Sequence, residues 1–192
     1  MPSFPQPRPE EIAKRSSRRM TQCTLDAPSR RSLTAAPQDE GRFIQNFVDV
    51  MPTPHLILAE ARSWIGTPYR HQASLKGVGC DCLGLLRGVW RGVMGREPEL
   101  PPPYSPDWAE AGADTLVAAA RKHLVEIACD EFTAGDVLLF RWRDAMPAKH
   151  CAVATSPDTM IHAHDGASVA EVAFHPWWRR HLAYAFRFPD KN

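Results

Sequence analysis

Apolar residues recur at helical spacing in two segments in the middle of the chain. The first, TPHLILAEARSWIG, predicts a helix with Thr53 as N-cap, Pro54 at its first position and Gly66 as C-cap. The second predicts a helix over Leu83–Met94. Gly84, Gly88 and Gly92 recur every four residues in it and line one face, which indicates close packing.

The second half of the chain changes from helical spacing to short β-rich runs. A third helix is expected from Ser105 or Asp107 to about His123. Five strand-like runs follow, separated by Gly, Pro and Asp: DVLLFRW, HCAVAT, TMIHAH, SVAEVAF and LAYAFRF. Helices followed by sequential strands predict an α+β domain with an antiparallel sheet.

Residues 1–50 have a different composition. They are rich in Pro, Ser and Arg and poor in apolar side chains, so they cannot bury enough surface to offset the entropy of ordering. We expect a disordered tail over 1–50 and a globular domain over 51–192. An alternative is that Met51 is the natural start of the protein.

Overall composition excludes several classes of protein. The chain has 192 residues, 44% of them hydrophobic, and a formal net charge of +1, which gives no electrostatic case for nucleic-acid binding. We found no apolar run long enough to cross a membrane and no secretory signal. Five cysteines are too few for a disulfide scaffold and fit synthesis in a reducing cytoplasm.

One cysteine and two histidines are candidates for chemistry. Cys82 stands where a loop becomes a helix, and the positive end of the helix dipole favours a thiolate there. His150 and His162 lie on consecutive predicted strands, which can bring a base and an orienting group together on one face. The simpler alternatives are a buried structural thiol and ordinary core or surface histidines.

Four sequence elements, in order, carry a family resemblance between about residues 54 and 189. CDCLGLL resembles the D-C-S-G-L signature of NlpC-type papain-like cysteine peptidases. AGDVLLF, HCAVA and MIHA resemble that family's P-G-D-L-(V/L)-F-F, H-V-G-I-Y and (F/M)-I-H-A strands. TPYRHQASLKGVGCDCLGL, PPYSPDW and WWRR resemble more closely the cell-wall peptidases of tailed-phage and gene-transfer-agent tails.

The resemblance implies a papain-like fold and a Cys–His–His triad. Cys82 would be the nucleophile, His150 the base, and His162 the residue that orients it. Tyr69 matches a tyrosine that helps bind or polarise the substrate carbonyl. The family cleaves peptidoglycan stem peptides, usually at a D-glutamyl–diamino-acid amide, and the resemblance implies no cofactor or metal.

The chain departs from the family pattern at four positions. Leu83 replaces a serine, although its backbone N–H can still serve an oxyanion hole. Cys151 and Ala152 replace a valine and a glycine, and Cys80 is an additional thiol, which we interpret as a bystander. None of these departures removes a triad residue.

The resemblance also implies partners and a location. Besides peptidoglycan, phage-like tail proteins are expected partners. The protein would be cytoplasmic at synthesis and would later act on the cell wall as part of a virion-like particle.

Two further residues are candidate members of the site. Asp81 is expected to cap the helix rather than act as a base. His71 is either a site residue near Tyr69 or a solvent-exposed loop histidine.

Trp177 and Trp178 are expected to pack on the sheet, with an exposed aromatic patch as the alternative.

Three other functions remain open. One is a structural tail-tip protein with little turnover, and another is a thiol amidase or acyltransferase with a different substrate. The third is a structural zinc domain, although C-x-C and H-x-H are not the usual zinc spacings. Its candidate ligands are Cys80, Cys82, His150, Cys151, His162 and His164.

Overall fold

The computed structural model describes residues 54–105 and 114–190. The tail predicted over 1–50, the predicted N-cap Thr53 and the alternative cap Asp107 lie outside these ranges.

Three helices correspond to the predicted ones: α1 (Pro54–Arg62), α2 (Cys82–Met94) and α3 (Thr115–His123). The predicted end of α1 is wrong, because the helix stops at Arg62 and a turn leads to Gly66. Gly66 has a φ of 90°, and its N–H donates to the carbonyl of Val169 at 2.9 Å. The glycine therefore ends the turn rather than the helix.

The start of α3 and one extra helix differ from the prediction. Ser105 is not helical, and Asp114 occupies the N-cap position of α3. The sequence HPWWRR, expected as sheet-packed or exposed aromatic residues, forms α4 (Pro176–His181). His175 caps α4 by accepting a hydrogen bond from the Trp177 N–H, and Pro176 is preset for the first helical position.

The strands form an antiparallel sheet, which confirms the predicted α+β class. Within the described residues the sheet has six strands, and in space β3, β8, β4, β5, β6 and β7, whose bounds follow, lie side by side in that order. Their bounds are β3 (Val125–Ile127), β4 (Val137–Phe140), β5 (His150–Ser156), β6 (Thr159–His162), β7 (Ala170–Ala173) and β8 (Leu182–Arg187). A separate hairpin precedes α2 and consists of β1 (Ser74–Leu75) and β2 (Gly79–Cys80).

Alternating side chains of β4 and β5 supply two cores, one on each face of the sheet. Cys151 and Val153 contribute to the core that contains α1, α2 and α3. Ala152 and Ala154 contribute to a second core that contains Trp178 of α4. The sheet is therefore covered on both faces. Strand β5 contributes side chains to both cores, so it links the core around α2 to the core that contains Trp178.

The glycine face of α2 is buried and closely packed at Gly84 and Gly88, as predicted, whereas Gly92 is exposed. A Cβ on Gly84 would overlap the backbone carbonyl of Ala73, next to the β1–β2 hairpin. A Cβ on Gly88 would overlap the ring of Trp64, which follows α1. The two glycines let the hairpin and Trp64 approach the α2 backbone, while other residues of α2 pack toward β5.

We expect Gly88→Ala to lower the free energy of unfolding by about 1–3 kcal/mol, because the added methyl group must displace the buried Trp64 ring. Urea denaturation monitored by circular dichroism measures this loss. Gly92→Ala is the matched control, because its methyl group meets the flexible Glu60 side chain and alanine favours a helix. Equal stability of the two variants would contradict the close-packing account.

Candidate active site

Cys82 is the first residue of α2, so it stands at the end of the helix where backbone N–H groups lack helical acceptors. The N–H groups at the first positions of a helix have no acceptor within that helix. Those of Cys82 and Leu83 belong to this set, whereas the Gly84 N–H donates to Asp81 Oδ1 at 2.7 Å. The predicted capping role of Asp81 is confirmed.

The Asp81 carboxylate also anchors the loops around the helix start. It is buried, and its Oδ2 atom accepts hydrogen bonds from the Gln72 N–H at 2.7 Å and the Tyr104 hydroxyl at 2.6 Å. His71 Nδ1 lies 3.6 Å from the same oxygen. Burial, and after it the hydrogen bond to Asp81, raises the pKa of Tyr104 and keeps its phenol protonated.

His71 contributes to this network rather than standing in solvent. Its Nε2 atom lies 2.8 Å from the Tyr104 carbonyl, which also accepts from the Gln72 side chain at 2.6 Å. The proline-rich segment that ends at Tyr104 is thus attached to the helix start by both its backbone and its hydroxyl. The sequence alone gave no signal that Asp81 was the anchor.

The two predicted histidines form a hydrogen-bonded pair. His150 opens β5 and His162 closes β6, and the antiparallel pairing of these strands brings His150 Nε2 to 3.0 Å from His162 Nδ1. Burial, together with the neighbouring His150 and His164, lowers the pKa of His162 to about 2. A neutral His162 can accept the Nε2 proton of His150, which leaves Nδ1 of His150 to exchange a proton with a thiol.

Two tryptophans stack on the His150 ring. The Trp178 ring lies 5.4 Å from it at 28°, and the Trp142 ring lies 5.8 Å from it at 24°. Trp178 is buried, as expected for core packing, whereas Trp177 is 39% exposed. The stacking of Trp142 on His150 was not predicted, because a tryptophan just after a strand looks in sequence like any core-packing residue.

The Cys82 thiol is held in a setting that favours its ionised form. A hydrogen bond from the Cys151 thiol lowers its pKa most, and hydrogen bonding and charge from His150 and a Cys151 backbone bond add to this effect. These contacts outweigh burial and place the pKa well below 9.0. The same thiol–thiol bond, with burial, raises the pKa of Cys151, so Cys151 remains the donor.

The other predicted neighbours of Cys82 remain protonated. Burial, helped by the charges of Asp81 and Cys82, raises the pKa of Cys80 to about 12, which fits the bystander interpretation. Burial and the Cys82 charge likewise raise the pKa of Tyr69 to about 12. The Tyr69 phenol is therefore a neutral donor, and its backbone N–H is fixed to the Ala167 carbonyl at 3.1 Å.

Within residues 54–105 and 114–190, no group of three or more His, Cys, Asp or Glu side chains is arranged to hold a metal ion. His164, one of the candidate zinc ligands, is exposed and contacts the Asp165 carbonyl. No helix in the described part of the chain is long and apolar enough to cross a membrane.

Comparison with known proteins identifies the family. Residues 66–187 match the model of the NlpC/P60 family. The chain belongs to the NlpC/P60 family. The solved NlpC/p60 domain of the peptidoglycan hydrolase SagA is 26% identical to it, with a TM-score of 0.51 over 71% of this chain and 99% of that one. An NlpC/P60 family protein from Bacillus cereus is 20% identical, with a TM-score of 0.53 over 72% of this chain and 41% of that protein.

A third solved structure is similar at lower identity. RipD from Mycobacterium tuberculosis is described as a non-catalytic NlpC/p60 domain protein adapted to peptidoglycan binding. It is 14% identical, with a TM-score of 0.43 over 70% of this chain and 95% of that one. None of the curated proteins matches this chain.

We expect iodoacetamide to label Cys82 of this NlpC/P60 domain before Cys80 and Cys151 at neutral pH. The alkylating agent reacts with thiolates, and only the Cys82 pKa is lowered among these three. Peptide mass spectrometry after a brief exposure measures the order of labelling. Earlier labelling of either buried thiol would contradict the assignment of the thiolate to Cys82.

Proposed function

We propose that this NlpC/P60 domain is a cysteine peptidase that hydrolyses an amide bond in the stem peptides of peptidoglycan. The observation that carries the proposal is a hydrogen-bonded histidine pair, His150 and the neutral His162, together with a cysteine at a helix start whose pKa His150 helps to lower. The SagA domain, itself from a peptidoglycan hydrolase, is similar over nearly its whole length and supports this substrate class.

The first step is attack by Cys82 Sγ on the carbonyl carbon of the scissile amide. The carbonyl oxygen becomes an oxyanion, which the N–H groups of Cys82 and Leu83, lacking acceptors within α2, would stabilise. The neutral Tyr69 hydroxyl is a further donor in this role. His150 then gives a proton from Nδ1 to the leaving nitrogen, the C–N bond breaks, and an acyl-thioester on Cys82 remains.

Water completes the reaction. Neutral His150 accepts a proton from the attacking water at Nδ1, and collapse of the second tetrahedral intermediate breaks the C–S bond. The product forms as a carboxylic acid, which loses its proton to solvent, and the Cys82 thiolate and protonated His150 are restored. His162 keeps its Nδ1 atom available as an acceptor throughout, which fixes the orientation of the His150 ring.

Cys82→Ala is expected to abolish release of cleaved stem peptides from purified muropeptides, because the nucleophile is lost. Product mass spectrometry identifies the bond that is cut. Cys129→Ala is the matched control, since Cys129 is a partly buried cysteine that packs in the second core, and it should keep wild-type activity.

The same digestion distinguishes the alternatives. A wild-type protein that binds peptidoglycan but leaves muropeptide masses unchanged would support a structural role without turnover. Equal cleavage by wild type and Cys82→Ala would contradict the proposed mechanism. Cleavage of other amides or esters but not of stem peptides would favour a thiol amidase or acyltransferase.

We extend the proposal to a biological setting, as a component of a phage-like tail that acts on the cell wall. Support comes from the resemblance of TPYRHQASLKGVGCDCLGL, PPYSPDW and WWRR to tail peptidases. Mass spectrometry of purified tail-bearing particles from a culture that expresses the protein should find it in stoichiometric amount. Its absence from such particles would contradict the tail setting and leave the chemistry unaffected.

A further inference from the structure

Trp142 contacts the His150 ring but takes no part in the proposed reaction. It lies two residues beyond the end of β4, and the pairing of β4 with β5 sets Phe140 opposite His150. The centroid of the indole lies 5.8 Å from that of the imidazole, at an interplanar angle of 24°. This separation and angle correspond to an offset stack, one of the arrangements that aromatic rings prefer.

Trp178 contacts His150 beside Trp142. The two indole centroids are 6.0 Å apart, so both rings lie on one side of the imidazole rather than on opposite faces. Trp178 is buried in the second core, and a change there would disturb packing. Trp142 is half-buried and lies outside the helices and strands. Its effect on His150 can therefore be separated from the stability of the core.

Helix α4 supports the Trp142 indole in turn. The Trp177 ring lies 5.5 Å from that of Trp142, and the His181 ring stacks on Trp177 at 4.0 Å. The N–H of Arg141, the residue before Trp142, donates to the His181 carbonyl at 3.0 Å. Both the ring of Trp142 and the backbone that leads to it are thus attached to α4, which gives His150 a firm surface to stack on.

The stack and the histidine pair restrain His150 in different ways. His162 meets the imidazole at its edge, with the rings at 82° and Nδ1 of His162 3.0 Å from Nε2 of His150. A hydrogen bond at the edge tolerates some tilting of the ring plane, whereas contact with an indole face opposes it. Together the two contacts set the direction of Nδ1 of His150, which exchanges the proton in the proposed reaction.

We propose that Trp142 is a positioning residue that acts through His150 by holding the plane of its imidazole ring. This inference rests on the proposed function, in which His150 transfers the proton. A misplacement of about 1 Å can cost an enzyme about a hundredfold in rate. The stack therefore speeds the chemical step and leaves substrate binding unchanged.

The first test needs no substrate. The proton between His150 Nε2 and His162 Nδ1 is buried, so NMR of protein with isotopically labelled histidine should show a ring N–H signal that exchanges slowly with solvent. Its loss in His162→Ala identifies the signal. Trp142→Leu removes the aromatic face, and the signal should broaden or disappear. Trp142→Phe keeps a ring and should retain it.

The second test is the kinetics of muropeptide cleavage. We expect kcat of Trp142→Leu to fall about 10- to 100-fold while KM stays within about twofold, and Trp142→Phe to recover most of the loss. Trp90→Leu is the matched control in both tests, because Trp90 is a half-buried tryptophan that packs on Phe188 instead of His150. It should keep the NMR signal, kcat and KM of the wild type.

Three results would overturn the proposal. The first is a ring N–H signal that is absent from the wild type or unchanged in Trp142→Leu. The second is an equal loss in Trp142→Leu and Trp142→Phe, since packing alone would explain it. The third is a higher KM with unchanged kcat, which would make Trp142 a substrate contact.

Circular dichroism checks the fold of each variant, and Trp142→Met replaces the leucine variant if that variant does not fold. A wild type that cleaves no muropeptide would contradict the proposed function. The NMR signal would still decide whether Trp142 positions His150.

Discussion

The candidate active site depends on stabilising one negative charge, that of the Cys82 thiolate, at the start of α2. Three sources act on that sulfur: the Cys151 thiol, the His150 ring and the positive end of the helix. Burial opposes them, because a charge away from water is costly without partners. Cys80, two residues away, has burial without these donors and remains a thiol.

The fold supplies each contact through a local device. The buried Asp81 carboxylate caps α2 and draws in the loop that carries Tyr104. Gly84 allows the hairpin backbone to reach the first turn of the helix. On the opposite side, the β5–β6 pair places His162 behind His150, and burial keeps His162 neutral. A neutral His162 can accept the Nε2 proton of His150 and so hold its ring in one orientation.

Residues with a strong local pattern were predictable from sequence. The α2 helix, the Asp81 cap and the strands that carry His150 and His162 follow from periodicity and capping chemistry. Short elements such as β3 have too few residues to produce a pattern. The end of α1 was misjudged, because Gly66 is held by a distant carbonyl rather than by its own helix.

The residues that surround the site could not be predicted in the same way. Trp142 on His150 and Cys151 on Cys82 are contacts between elements far apart in sequence. Cys151 appeared only as a departure from a motif. Ultraviolet absorbance of the thiolate, followed through a pH titration of wild type and Cys82→Ala, measures the central interaction most directly. We expect a thiolate signal that is lost in the variant and whose midpoint lies well below that of an ordinary cysteine, about pH 8.5. A Cys82-dependent midpoint at that ordinary value would contradict the assignment of a stabilised thiolate.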